Sequence, residues 1–409
     1  MRVAASLIVL TLTTLAGAAD GDRVATIDGR ELVGRVVTVD AQAVRIATAD
    51  GEQTVARTDV AAVALESSSP RRPTELMRQP GKMVVETIGG DHVAPGGVTF
   101  ADGKLTMTGG LLGNLSVPID RIKTIYFPTI GQSAADVREL CDQMKLTGEV
   151  TDQMLMVDTN GKLLPVSGVL RAIGLAGARP PAAEITFTWQ GRDRAVAAER
   201  ARAIVLASPP REIPQAVGVV AMTDGSALRF SDIELTDEKV LVNSPELGVC
   251  TIRRDAVAEI RFHSDRVVPL GDLEPVDVRE HGLMAWTFAY RRDRNVTGGA
   301  IQLDGRTYPR GIGMHSFCEL TYDLDGAFSL LVMTAGIDDV AGPHGDAVLT
   351  IIADGKTLAE PVRLTGRDEA RFLRLDVANV KRLIVRVDYG PDGLDVADCV
   401  DLADARLIK

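Results

Sequence analysis

The chain has 409 residues, 45% of them hydrophobic and 25% charged, a balance that supports buried cores and excludes a disordered or collagen-like chain. Lys and Arg total 45 against 56 Asp and Glu, a net charge of -11. A protein that displaces counterions from nucleic-acid phosphates needs the opposite balance, which argues against nucleic acid as a partner. Nine Phe, five Tyr and two Trp make aromatic side chains scarce, so few can be spared for a sugar-stacking face.

At the start, Arg2 precedes an apolar run from Val3 to Leu15, and Ala16-Gly17-Ala18-Ala19 follows. A basic start, an apolar stretch of ~10–13 residues and a small-residue cleavage site make up a signal peptide, expected over residues 1–18. The run is short for a bilayer, and no later segment approaches ~18 unbroken apolar residues. The mature chain is therefore expected to be exported, to the periplasm, cell envelope or medium, with no transmembrane anchor.

Beyond the signal, strands and tight turns are expected almost throughout. Asp28-Gly29, Asp50-Gly51, Asp102-Gly103, Asn160-Gly161, Asp224-Gly225, Asp304-Gly305 and Asp354-Gly355 are turn dipeptides, suited to the positive φ angles of hairpins. The segments between them alternate and are rich in Val, Ile and Thr, the half-buried strand pattern. Four weak repeats follow one another, at about 24–65, 82–127, 145–206 and 217–262. They close on RTDVAAVAL, PIDRIKTIYF, AERARAIVL and RRDAVAEIRF, each with charged residues before a short apolar strand. Each repeat reads as a small antiparallel meander or barrel that needs a neighbour to bury a core.

Ser67–Pro73, Arg179–Pro181 and Ser208–Pro210 read as linkers. Ser133 with Asp136 resembles a capping box, and Val137, Leu140, Cys141 and Met144 follow at helical spacing, so one helix is expected there. The expected domains are 19–130 with repeats one and two, 131–270 with the helix and repeats three and four, and a final domain over 272–409.

No nucleophile elbow, HExxH, Walker loop or complete calcium loop is found, and the five histidines lack metal-ligand spacing. No enzyme is expected. The cysteines, Cys141, Cys250, Cys318 and Cys399, form no CxxC pair. Cys318 and Cys399 fall in the last domain and are the disulfide candidate of an oxidising compartment; four buried free thiols are the alternative.

The last domain carries a specific pattern in four ordered blocks: the stretch around Gly311-Ile312-Gly313-Met314-His315-Ser316, the turn Gly336-Ile337-Asp338-Asp339, the Asp354-Gly355-Lys356 hairpin and the ending Asp395-Val396-Ala397-Asp398-Cys399 onward. It resembles the NPCBM family of carbohydrate-binding modules, first described beside family 98 glycoside hydrolases. The resemblance implies a galactose-binding-like jelly-roll β-sandwich, which makes the whole chain all-β. It also implies a glycan site on loops, with His315, Ser316, Asp338, Asp339 and Trp286 as candidate ligand-binding residues. Buried corner and turn-capping roles for the same polar residues are the alternative. Asp395 and Asp398 are candidate ligands of a structural calcium, and no other cofactor is expected. Leu402 stands where the family's closing element carries an aromatic. The leading expectation is a non-catalytic exported protein that binds a glycan through a shallow loop site. The alternative is a cell-envelope structural protein whose sandwich and repeats contact a protein partner.

Overall fold

The computed structural model describes residues 21–66, 81–128, 133–146, 150–174, 184–208, 211–283 and 287–409. The expected signal peptide and the first two linkers lie outside them, as does most of the third. The described chain forms two units, one of residues 21–24 and 32–263, the other of 25–31 and 264–409.

In the first unit all four repeats close alike. A single 3-10 turn (Arg57–Asp59, Ile119–Arg121, Ala198–Arg200, Arg254–Ala256) leads into a strand (Val60–Ala64, Ile122–Tyr126, Ala201–Val205, Val257–Phe262). The charged residues before each apolar strand are thus the exposed turn that aims it. Within a repeat the first strand pairs with the closing one, as Gly218–Met222 does with Val257–Phe262 and Asp152–Val157 with Ala201–Val205.

The closing strands then pair antiparallel between repeats, one with four and two with three. Val63 faces Ile260, and Ile125 faces Ile204. Each of these is the fourth residue past its 3-10 turn, so equivalent positions oppose each other across two local dyads. All four side chains are fully buried, and burying each removes apolar surface worth roughly 2 kcal/mol. A meander too small for its own core gains one by edge pairing, which also removes an exposed strand edge.

Repeats one and three share a further device. Asp22 accepts hydrogen bonds from Val36 N at 2.7 Å and Glu66 N at 2.9 Å; Asp152 accepts them from Leu170 N at 2.8 Å and Ala207 N at 2.9 Å. Each carboxylate ties the first strand to the second and to the residue that leaves the closing strand. The expected helix spans Ala134–Leu146. Ser133 Oγ accepts from Ala135 N at 3.2 Å, and the buried face of Val137, Cys141 and Met144 packs on Tyr126 and Leu155.

The second unit is a sandwich of two antiparallel sheets. One has the strand order Arg291–Arg292, Gly311–His315, Cys399–Ile408, Leu330–Ile337, Arg371–Asp376, with Val267–Pro269 also on Cys399–Ile408. The other runs Asp277–Glu280, Cys318–Asp323, Arg382–Tyr389, Asp346–Ala353, Lys356–Thr357, with Val362–Thr365 also on Asp346–Ala353. Leu349, Ile351 and Ala353 face the core together with Leu383, Val385 and Val387, as their alternation requires. Asp354 and Gly355 take φ of 47° and 80°, the left-handed pair of a two-residue hairpin. Leu402 is fully buried in this core.

The Cys318–Cys399 disulfide does not form. All four cysteines are free and buried. Cys318 lies opposite Glu280 and Val387 in one sheet, whereas Cys399 lies opposite His315 in the other. Burial pushes the Cys399 thiol up to about 11 and Cys141 to about 12, and it moves Cys318 in the same direction.

Candidate functional site

The polar residues singled out in the sequence are mostly occupied by the fold. His315 ends its strand with Nδ1 2.9 Å from Ser316 O and is only 6% exposed. Ser316 is buried and donates to Asp398 Oδ2 at 2.5 Å, while Asp398 Oδ1 accepts from Asp346 N at 2.8 Å. Burial raises the Asp398 pKa even though both hydrogen bonds lower it.

In the Ile337–Asp339 turn, Asp338 is 1% exposed. Its Oδ1 accepts from Val340 N at 2.9 Å and Asn295 Nδ2 at 3.3 Å, and its Oδ2 from Gln302 N at 3.0 Å. Asp339 accepts from Asp304 N at 3.0 Å and Gly305 N at 2.8 Å. Both carboxylates therefore hold loop amides that would otherwise lack partners.

Asp395 Oδ2 accepts from Leu283 N at 2.9 Å. Both Asp398 oxygens accept from protein donors. Among the described residues no three His, Cys, Asp or Glu side chains gather as a metal site. Trp286 lies outside the described residues.

Behind the turn sits a further carboxyl of the acidic ending. Asp401 is fully buried, and neither carboxyl oxygen meets a hydrogen-bond donor among the described residues. Burial first, and then the neighbouring Asp338 carboxyl, raise its pKa to about 10. Two carboxyl groups can approach in this way only by sharing a proton.

What the structure adds is a set of rings at one end of the sandwich. Beyond the Glu280–Cys318 pair the ladder continues, His281 N donating to Phe317 O and Phe317 N to His281 O, each at 3.1 Å. This places the His281 and Phe317 rings 4.5 Å apart. His281 also lies parallel to Tyr389, at 5° and 6.3 Å, with the Tyr389 hydroxyl 3.5 Å from its Nδ1. On the other side of the Ser316 bend, Phe288 covers the His315 ring at 4.5 Å. Phe288 is 45% exposed, and Leu283, Leu394 and Val396 are exposed in the neighbouring segments 281–283 and 389–398. The sequence hid these rings because an aromatic at a strand end reads as core until its neighbours are known.

The domain that carries this end matches a known family. Residues 266–408 match the NPCBM/NEW2 domain. The C-terminal unit is thus similar to that domain along nearly all of its residues from 264 onward. A Renibacterium salmoninarum protein with the provisional name endo-alpha-N-acetylgalactosaminidase is 28% identical over 90 residues, 22% of this chain and 6% of that one. The chain thus spans a small fraction of that curated relative's length. The CBM51 module of a GH95 protein from Clostridium perfringens, solved in complex with methyl-galactose, is 21% identical over 34% of this chain and 99% of that one, with a TM-score of 0.31. Tandem CBM51 modules of a family 98 glycoside hydrolase from Streptococcus pneumoniae are 12% identical over 94% of this chain and 87% of that one, with a TM-score of 0.30.

Within the matched residues 266–408, the departure at Leu402 falls in the core. Its apolar side chain, on a strand whose partners include Ile312 and Ala335, packs fully buried between the sheets.

Proposed function

We propose that the protein is an exported, non-catalytic glycan-binding protein, and that the glycan docks on the sandwich end formed by residues 281–283, 287–290, 315–317 and 389–398. The observation that carries this reading is the ring set of exposed Phe288 and His281 with half-buried Phe317 and Tyr389 at one end of the sandwich. A pyranose offers one apolar C–H face and a rim of hydroxyls, so it is held by a ring on one side and hydrogen-bonding groups at the edge. The Tyr389 hydroxyl, the His281 imidazole and Asp395 supply that edge. His315, Ser316 and Asp338 support the loops from below. A shallow face of this kind gives single-sugar affinities on the order of millimolar to micromolar.

A second reading, a cell-envelope scaffold, draws on the exposed Leu283, Leu394 and Val396, which suit a protein partner as well as a sugar. A glycan array probed with the full chain, with and without chelator, separates the two. Binding to one glycan class that drops about tenfold in Phe288→Ala and Tyr389→Ala, with unchanged melting temperature, supports the glycan reading. Silence from the folded protein moves it to the scaffold.

A further inference from the structure

We propose that the repeat unit carries a ligand site of its own: a cavity between repeats one and four that takes a flat aromatic group with a cationic or N–H-donating edge.

The cavity has a volume of about 660 Å³, within the ~300–1,000 Å³ of small-ligand sites. Repeat one lines it with Asp22, Gly34, Leu65 and Glu66, and repeat four with Glu238 and Arg254, among others. The local dyad of the closing strands relates these two repeats, so each position at this end has a counterpart at the other. Thr26 N donates to Arg30 O as Met222 N does to Ser226 O, and Asp40 N to Ala43 O as Thr236 N does to Lys239 O. Between these turns the repeats have equal length, so Gly34 answers to Phe230. Arg57 N donates to Gln42 O as Arg254 N does to Glu238 O, so Arg254 answers to Arg57. Counted from the 3-10 turns that follow, Leu65 answers to Phe262.

At the far end, rings fill the space. Phe230 and Phe262 meet edge to face at 5.8 Å, and the Arg57 guanidinium lies 4.8 Å from the centre of the Phe262 ring. At this end Gly34 and Leu65 stand in the places of those rings, and Arg254 borders a cavity instead. Asp22 positions Arg254 through Nη2 at 2.5 Å, while Nη1 has no acceptor among the described residues. A guanidinium stacks well on an aromatic face, and here the protein supplies the guanidinium without the ring.

The rim sets the edge chemistry. Arg35 pairs with Asp237 at 3.1 Å and Arg253 with Asp255 at 3.2 Å. Glu66 and Glu238 are exposed and have no ion pair among the described residues. Two spare carboxylates favour an ammonium or an indole N–H on the incoming ring. A free aromatic amine and a basic peptide bearing tryptophan share this chemistry.

The test titrates the full chain by saturation-transfer NMR with tryptamine, indole, 2-cyclohexylethylamine and a lysine-flanked tryptophan tripeptide. Tryptamine should bind about tenfold tighter than the cyclohexyl amine, which lacks the ring. It should bind about fivefold tighter than indole, which lacks the cation. Leu65→Phe puts a ring where Phe262 has one, and should weaken tryptamine at least tenfold without lowering the melting temperature. Glu66→Gln with Glu238→Gln changes only exposed side chains, and should bring tryptamine down to indole while indole is unmoved. Tighter binding of the tripeptide than of tryptamine assigns the site to a polypeptide, and the reverse assigns it to a free amine; both support the proposal. Equal binding of the cyclohexyl amine, or no binding of any probe at about 10 mM, overturns it. So does tryptamine binding that folded Leu65→Phe leaves unchanged. Should that variant not fold, the glutamine pair decides, and an unaltered preference for tryptamine over indole overturns the proposal.

Discussion

The repeat unit and the sandwich are both antiparallel β, yet they obtain a core in different ways, and the sandwich holds one buried carboxyl, Asp401, unlike the strand-tying Asp22 and Asp152 of the repeats. The repeats are each too small to enclose a core, so they pair closing strands, and Val63 with Ile260 and Ile125 with Ile204 seal two dyads. The sandwich closes one sheet over another, and Leu402, Val385 and Ile351 fill the space between. In the repeats, Asp22 and Asp152 hold backbone amides. In the sandwich, Asp401 holds no backbone amide among the described residues and instead keeps its proton beside the Asp338 carboxyl. A carboxyl that ties strands together suits a scaffold made of repeated small parts. A buried carboxyl that keeps its proton beside a second carboxyl is a different arrangement, set in the middle of the Cys399–Ile408 strand.

The largest effects should come from the two kinds of core. Leu402→Ala leaves a cavity between closed sheets that cannot collapse, and a loss of about 3–4 kcal/mol is expected in urea unfolding. Ile204→Ala should cost about 2–3 kcal/mol, because an edge pairing relaxes more readily than a two-sheet interior. Its coupling distinguishes the dyad: with Ile125→Ala added, the double variant should fall short of the sum by about 1 kcal/mol. Additive losses would mean that Ile125 and Ile204 do not share one contact.

The carboxyl contrast is next in size. Asp152→Ala removes the acceptor from two amides, Leu170 N and Ala207 N, and should cost about 2–3 kcal/mol at neutral pH. Asp401→Asn should do the reverse. The folded protein keeps the Asp401 proton up to about pH 10, whereas an unfolded aspartate releases its own near pH ~4. Across that window the native state holds more protons than the unfolded state, so stability falls as pH rises. Asparagine donates permanently to Asp338 and has no proton to lose. Its stabilisation should be small at pH 5 and reach about 1–3 kcal/mol at pH 9, read as melting temperature against pH. A variant whose pH slope matches the parent would show that Asp401 is already paired.

These contrasts also mark what the sequence conveys. Turn chemistry is local, so Asp354-Gly355, the Ser133 cap and the four closing strands are legible from residues alone. Pairing between repeats is not, because nothing local to Val63 says that its partner is Ile260. The same limit applies to the candidate site. His315, Ser316, Asp338 and Asp339 stand out as polar residues in a recognisable pattern, yet the first three are buried and the exposed Asp339 is taken up by the amides of Asp304 and Gly305. Phe288, His281, Phe317 and Tyr389 are ordinary in sequence and become a surface only when the ends of two sheets meet at one bend.

The smallest expected effect concerns the thiols. Cys318 and Cys399 share a domain and an exported chain meets oxidant, which is why a bridge between them is a natural expectation. Their strands belong to opposite sheets, each thiol faces its own neighbours, and burial holds the thiolate form away from neutral pH. Reductant should therefore leave the melting temperature of either unit within about 1 °C, against the several-degree loss that follows removal of a structural disulfide. Thiol titration should find no reactive cysteine in the native protein and all four after denaturation. Only two thiols in the denatured, unreduced chain would reveal a bridge. That result would make the sandwich, unlike the repeats, a fold held partly by a covalent tie.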